Sequence, residues 1–220
     1  MTGDPLPMTA TAELRSRLAG LSPLLLLALL SGLARAEPAA RVALETSVGD
    51  IELEVDRARA PVTAANFLRY VKAGRYDGGR FHRAVTASNQ PKNKVKIAVI
   101  QAGEPPELEA TDFPPIRLER TRDTGLSHRD GTLSMARDGA DTATSDFFIC
   151  VGEQPELDFG GHRNPDGQGF AAFGRVVRGM DVVRRIWRGP VVAQTLAPPV
   201  AIRHARVVTP SPIDGGVDGE

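Results

Sequence analysis

A chain of 220 residues that is 41% hydrophobic is long enough to bury one core of ordinary size, and its 27 Lys and Arg residues are matched by 27 Asp and Glu. A formal net charge of zero argues against nucleic acid as a partner, because nucleic-acid-binding domains are usually strongly basic. The single cysteine, Cys150, excludes an internal disulfide, and its place in Phe147-Phe148-Ile149-Cys150-Val151 predicts a buried, inert thiol.

Arg15 and Arg17 precede an apolar run, Leu18 to Leu33, which ends in Ala34-Arg35-Ala36. A basic start, a short apolar centre and an Ala-x-Ala end describe a secretory signal peptide over 1–36, cleaved after Ala36, and hence an exported, periplasmic protein. Gly20, Ser22, Pro23 and Gly32 interrupt the run, which is shorter than the ~20 residues of a membrane-spanning helix. An uncleaved anchor is the alternative, and membrane contact is expected only in that case.

The functional domain is expected over 37–209. From Arg41 the pattern has period two: Val42 and Leu44, then Ile51, Leu53 and Val55, alternate with Ala43, Glu45, Glu52 and Glu54. This predicts a hairpin with one apolar face, turning at Val48-Gly49-Asp50. A helix starts at Pro61, buries Phe67, Leu68 and Val71 and ends at Gly74. Asn66 on it reads as a hydrogen-bonding helix residue. Tyr76 to Gly79 is a turn into Phe81-His82-Arg83-Ala84-Val85. Thr86 to Lys96 is a polar loop, open to two readings: a surface loop of no consequence, or a lip beside a binding groove. A strand is expected over Val95 to Gln101, and Glu104 to Pro115 is Pro-rich and irregular.

Gly131 to Arg137 and Ser145 to Ile149 are short apolar runs separated by a polar loop, each too short for a helix. Asn164-Pro165-Asp166-Gly167 signals a turn. Asp158, Asn164 and Asp166 do not fit the spacing of a calcium loop, so no metal is expected. A strand over Phe170 to Val177, a helix over Gly179 to Arg188 burying Met180, Val183, Ile186 and Trp187, and a strand over Val200 to Val208 complete the domain. The 210–220 tail, rich in Gly and Asp, reads as disordered. Many short strands with two helices predict an all-β antiparallel barrel closed on itself.

A basic side chain inside the apolar strand at Phe81-His82-Arg83 is costly unless something uses it. Phe81-His82-Arg83, the turn Gln101-Ala102-Gly103-Glu104, Gly131 to Ala136 and Ser145 to Ile149 occur in an order that resembles the cyclophilin-type peptidyl-prolyl cis-trans isomerases, over roughly Arg41 to Val208. The resemblance implies a closed eight-stranded antiparallel β-barrel with an α-helix capping each end. Its substrate groove lies on the outer wall, the interior being filled with side chains. It further implies isomerisation of X-Pro bonds in folding polypeptides, with no cofactor and no covalent intermediate. A monomer is expected.

Within that resemblance Arg83 is the expected catalytic donor and Gln101 the side chain that binds the substrate backbone and orients the guanidinium. Phe148 matches the floor of the proline pocket, Val99 and Leu157 its walls, Ala136 a backbone contact, and Phe170 the position of a groove histidine. Strand alternation predicts that His82 faces away from Arg83 and is structural. His128 reads as structural too, and His162 and His204 show no partner pattern. No Ser/His/Asp arrangement can be singled out, Ser134 lacking a Gly-x-Ser-x-Gly setting.

Four positions depart from the best-known pattern. Ala98 replaces an aromatic, Asp146 a glutamine, Glu156 a tryptophan and Phe170 the groove histidine. Losing the aromatics at 98 and 156 predicts a looser proline pocket and weak cyclosporin binding. Ala98, Asp146 and Glu156 also keep a second reading open, a proline-segment binding module or chaperone with little turnover.

Overall fold

The alternating pattern at the start of the domain forms a hairpin in the computed structural model, which describes residues 39–208. Residues 1–36, expected to be a signal peptide, and the 210–220 tail, expected to be disordered, lie outside these residues. Strand β1 (Ala40–Thr46) pairs with β2 (Gly49–Val55), and Val42, Leu44, Ile51, Leu53 and Val55 are all fully buried on one face. Gly49 closes the turn at φ +130°, where a Cβ would lie 2.8 Å from Val182.

Seven further strands follow: β3 (Arg80–Val85), β4 (Val99–Gly103), β5 (Thr132–Met135), β6 (Phe147–Cys150), β7 (Ala171–Arg178), β8 (Val191–Val192) and β9 (Thr195–Val208). They are joined antiparallel in the order β1-β2-β7-β5-β6-β4-β3-β9, and pairing of β9 with β1 closes an eight-stranded barrel. The short β8 lies outside the ring as a hairpin on β9. Among the described residues, closure leaves none of the eight ring strands with an open edge of the kind that invites aggregation.

Two helices of some length, α1 (Pro61–Lys72) and α3 (Met180–Trp187), flank a single-turn helix α2 (Thr121–Thr124) that the sequence pattern did not show. Helix α1 follows the end of β2, whereas Val182 of α3 packs on Gly49 at its start, so the two helices close opposite ends of the barrel. Phe67, Leu68 and Val71 of α1 are buried, as expected, as are Val182, Val183 and Ile186 of α3. Met180 and Trp187, expected to be buried, are only partly so, though both pack against the core; the Trp187 indole donates to the Val85 carbonyl (2.8 Å).

Aromatic rings fill the interior. Phe67 lies 5.3 Å from both Phe147 and Phe173 and 5.4 Å from Tyr76, centroid to centroid. Element ends differ from the periodicity reading where side chains take over backbone hydrogen bonds. Strand β4 starts at Val99 rather than Val95, because Gln90 and Gln154 accept from the Ile97 and Ala98 amides ahead of it. Strand β9 begins earlier than expected, at Thr195, through its pairing with β8. The irregular 104–115 segment contains a 3-10 helix, Pro106–Thr111.

The residue before α1, Ala60, offers no side-chain cap. The Val62 and Thr63 amides, which have no partner within the helix, instead donate to Glu119 (3.0 and 2.8 Å), and the Thr63 hydroxyl adds a third bond (2.7 Å). A carboxylate also suits the positive end of the helix dipole. Replacing Glu119 by Ala leaves buried donors without a partner and is expected to cost about 2 kcal/mol of stability, measured by urea denaturation.

Candidate active site

One rung of the barrel wall assembles the site. In register across the sheet stand Thr195 on β9, Arg83 on β3, Gln101 on β4, Phe148 on β6 and Ser134 on β5. Residues far apart in the chain thus meet because the strands carrying them are neighbours. Alternation along β6 sends Phe147 into the core and Phe148 to the outer face.

Strand β3 breaks that alternation. Its register on both β4 and β9 passes from Phe81 to Arg83 and leaves His82 as an extra, bulged residue. In a regular strand Phe81 and Arg83 would share a face; the bulge lets Phe81 plug the core while Arg83 faces the outer wall. It also corrects the expectation for His82. Its Nε2 lies 3.6 Å from Asp146, which accepts from Gln101 Nε2 at 2.7 Å, so His82 and Arg83 reach the same side-chain network.

The Arg83 guanidinium is held by amide oxygens. Nη1 donates to Gln101 Oε1 (2.9 Å), while Nε and Nη2 both donate to Gln194 Oε1 (2.9 and 2.6 Å). No carboxylate lies within ion-pairing distance of it among the described residues. Three of its five N–H donors are engaged there, and two remain. Burial pulls the Arg83 pKa down from the ordinary arginine value, against a smaller upward pull from Asp146. The group stays charged.

Each amide is fixed in turn. Ionised Asp146 only accepts, so it turns the Gln101 NH₂ toward itself and leaves Oε1 for Arg83. Gly103 makes room for this: a Cβ there would fall 1.9 Å from Asp146 Oδ1. Gln194 Nε2 donates to the Asn89 carbonyl (3.1 Å), and the Gln194 carbonyl accepts from the Ala84 amide (2.9 Å). Burial raises the Asp146 pKa, opposed by its bond from Gln101 and the nearby His82.

Below this network lies a small apolar cluster separate from the barrel core. It consists of Val85, Ile97, Val99, Phe148, Cys150 and Leu157, with Ala136 and Phe170 packed against it. Phe170 meets Phe148 edge-on at 5.5 Å. Burial pushes the Cys150 thiol pKa upward, as an inert thiol requires. A cleft of about 440 Å³ opens over the cluster, and Arg83, Gln101, Val99, Ala136, Phe148, Leu157 and Phe170 all line it. The structure therefore brings together the seven side chains expected to form the site, whereas Ala98 and Glu156 do not line the cleft.

Ile97, Arg163 and Gln194 were missed. Ile97 was read only as part of a strand; Gln194 sits in a hairpin with no motif, 111 residues from Arg83. The Thr86–Lys96 loop is neither a loose surface loop nor a simple lip. Its Asn89 carbonyl supports Gln194, and the almost fully buried Gln90 accepts from Arg163 Nη1 (2.8 Å).

A Ser/His/Asp arrangement does exist, contrary to expectation. His128 Nδ1 lies 2.7 Å from Asp158 Oδ1 and its Nε2 lies 2.9 Å from Ser134 Oγ. An imidazole that donates to Asp158 accepts at Nε2 from the serine hydroxyl. The sequence could not show it because the three residues meet only through the fold. Ser134 is completely buried and the His128 ring stacks at 6.0 Å on Phe148, so the trio supports the cleft floor rather than opening to a substrate. His162 and His204, for which no partner was expected, meet Glu156 and Asp77 at 3.0 and 3.2 Å. Among the described residues no group of three or more His, Cys, Asp or Glu is placed to hold a metal.

Residues 41–207 match the family model described as cyclophilin type peptidyl-prolyl cis-trans isomerase/CLD. Peptidyl-prolyl cis-trans isomerase A of Dickeya dadantii (strain 3937) is 36% identical over 178 residues, covering 76% of this chain and 84% of that protein. Peptidyl-prolyl cis-trans isomerase cyp18 of Streptomyces antibioticus is 39% identical over 148 residues, covering 66% of this chain and 81% of its own. The fold is similar to the crystal structure of a cyclophilin type peptidyl-prolyl cis-trans isomerase of Cryptosporidium parvum, at a TM-score of 0.63 and 21% identity, over 79% of this chain and 99% of that one.

Asp158 Oδ1 accepts from both the backbone amide (3.1 Å) and the ring of His128. The Asp158→Ala variant strands both donors in a buried place, and a loss of about 2 kcal/mol in unfolding free energy is expected, read by denaturant titration.

Proposed function

This chain belongs to the cyclophilin-type peptidyl-prolyl cis-trans isomerase family, and from that membership we propose that it accelerates rotation about X-Pro bonds in polypeptides through Arg83, without a covalent intermediate. Rotation must break amide resonance, against a barrier of roughly 18–20 kcal/mol. As the bond twists, the proline nitrogen pyramidalises and acquires a lone pair that a fixed N–H donor can meet. Such a contact is stronger in the transition state than in the ground state, which is what raises the rate. An acceleration of about 10⁵-fold requires only ~7 kcal/mol of such preference.

The observation that carries this reading is a half-buried guanidinium held by Gln101 and Gln194 with N–H donors to spare, above an apolar floor. In it Phe148 is the floor for the proline ring, Val99 and Leu157 its walls, and Phe170 closes one side. Gln101 orients Arg83 and binds the substrate backbone, and Ala136 offers a backbone contact. Export after cleavage at Ala36 belongs to the same reading and is checked by the mass of the exported protein.

Glu156 and Ala98 stand outside the cleft, leaving two aromatic contacts of the best-known pattern without a counterpart. That observation favours the second reading, a proline-segment binder with little turnover, and one experiment separates the two. Under the isomerase reading Arg83→Ala is expected to lower kcat/KM for an X-Pro peptide by about 10²–10³-fold. Arg83→Lys restores little, since an ammonium cannot span both glutamines in one plane. Equal rates for wild type and Arg83→Ala would leave only the binder.

The pH dependence follows from Asp146. Because burial raises its folded-state pKa, it takes up a proton at a higher pH than an ordinary aspartate and then ceases to hold Gln101 as a charged acceptor. An acid limb in kcat/KM, with its midpoint above the usual aspartate range, is expected in wild type and absent in Asp146→Asn. The same raised pKa means that protonation favours the folded state. This contribution to stability is present at low pH and is lost as pH rises from the unfolded-state value through the folded one.

A further inference from the structure

Three guanidinium groups line the cleft, those of Arg83, Arg137 and Arg163, and they are not equivalent. Arg137 is neutralised by Asp166, which accepts from Nη1 and Nη2 at 2.7 and 3.0 Å. Arg83 meets only the amide oxygens of Gln101 and Gln194. Arg163 is half-buried and also meets only uncharged oxygens, since Nη1 donates to Gln90 Oε1 (2.8 Å) and to the Val95 carbonyl (3.0 Å). Its Nε and Nη2 have no protein acceptor among the described residues. The nearby Glu156 carboxylate is engaged by the His162 amide and ring (2.8 and 3.0 Å).

Like charges held this way repel. Burial and, after it, the Arg83 charge lower the Arg163 pKa. Four acids line the cleft, Glu109, Asp112, Asp138 and Asp146; Asp146 is held on Gln101 and Asp112 bonds with Tyr70 and Ser145, and among the described residues none of the four ion-pairs with Arg163. Arg163 is anchored instead by Gln90 and the Val95 carbonyl, on the chain leading into β4. The cleft thus holds two guanidinium groups, Arg83 and Arg163, that are fixed by neutral oxygens rather than paired with a carboxylate.

We propose that Arg163 is a specificity-determining residue: with Arg83 it gives the cleft an affinity for carboxylate, so that prolyl segments bearing Glu or Asp beside the proline are preferred over their uncharged counterparts. A guanidinium already fixed by neutral acceptors spends little ordering entropy on a carboxylate, and charge-assisted bonds are the stronger kind. The inference rests on the cleft being the peptide-binding groove of the proposed isomerase.

The test uses acetylated, amidated peptides with Glu, Gln or Lys on either side of the proline, so that the side chain is the only carboxylate. Binding is followed by NMR titration and turnover by exchange spectroscopy. For one of the two flanking positions, Glu is expected to bind about fivefold more tightly than Gln at low salt. The ratio should collapse toward one in Arg163→Gln and recover in part in Arg163→Lys. Raising ionic strength to about 0.5 M should compress it in wild type, a result that needs no variant to fold. Equal binding of Glu and Gln peptides by wild type at both positions overturns the proposal, as does a ratio unchanged in Arg163→Gln. Absence of turnover on every peptide, with the binding ratio intact, would instead sink the isomerase reading and leave this one standing.

Discussion

A guanidinium drawn half out of water and met only by amide oxygens is the constraint on which the site depends. A carboxylate against Arg83 would neutralise it and direct its donors into an ion pair. Amide oxygens fix the same geometry and leave the charge in place. The nearest acid is kept one step away, since Asp146 acts on Gln101 rather than on Arg83. Gln194 in turn is held through the Asn89 carbonyl and its own backbone bond to Ala84. Partial burial of a charge is unfavourable by itself, and a barrel packed with Phe67, Tyr76, Phe147 and Phe173 supplies the stability against which that cost is set.

A single extra residue makes the two faces of strand β3 compatible. Phe81 belongs to the aromatic core and Arg83 to the cleft, yet two residues apart on a regular strand they would point the same way. The bulge at His82 resolves the conflict and brings the histidine to Asp146. Strict alternation therefore gives the wrong side for His82 while the motif around it gives the right place for Arg83. Period-two patterns reveal strands; they do not reveal where a register slips.

The same distinction separates what could be read from the sequence from what could not. The β1–β2 hairpin, the start of α1 at Pro61 and its end near Gly74 are local, carried by residues within a few positions of one another. The many short strands pointed to a closed barrel, and the resemblance supplied its eight strands and seven residues that do line one cleft. Gln194, Glu119 and the Asp158–His128–Ser134 trio are different in kind. Each is an ordinary polar residue whose importance comes from a partner brought near by closure of the ring. Nothing in composition or spacing marks a glutamine as the support of an arginine 111 residues earlier.

The two loops flanking the apolar cluster show how the cleft is lined where Ala98 and Glu156 contribute nothing to it. With alanine at position 98, the neighbouring Ile97 side chain turns into the cluster. With Glu156 turned to His162, the loop after Asp158 sends Arg163 across to Gln90 and Val95. The Thr86–Lys96 loop therefore carries two loads, one through Asn89 to Gln194 and Arg83, the other through Gln90 to Arg163. An aromatic wall attracts a ligand by area and tolerates any charge beside the proline. A wall made of a fixed cation discriminates by sign and weakens with salt. In this groove the segment that joins Leu157 to Phe170, both against the apolar cluster, is also the one that carries Arg163 into the cleft, so apolar floor and second guanidinium are set by the same stretch of chain.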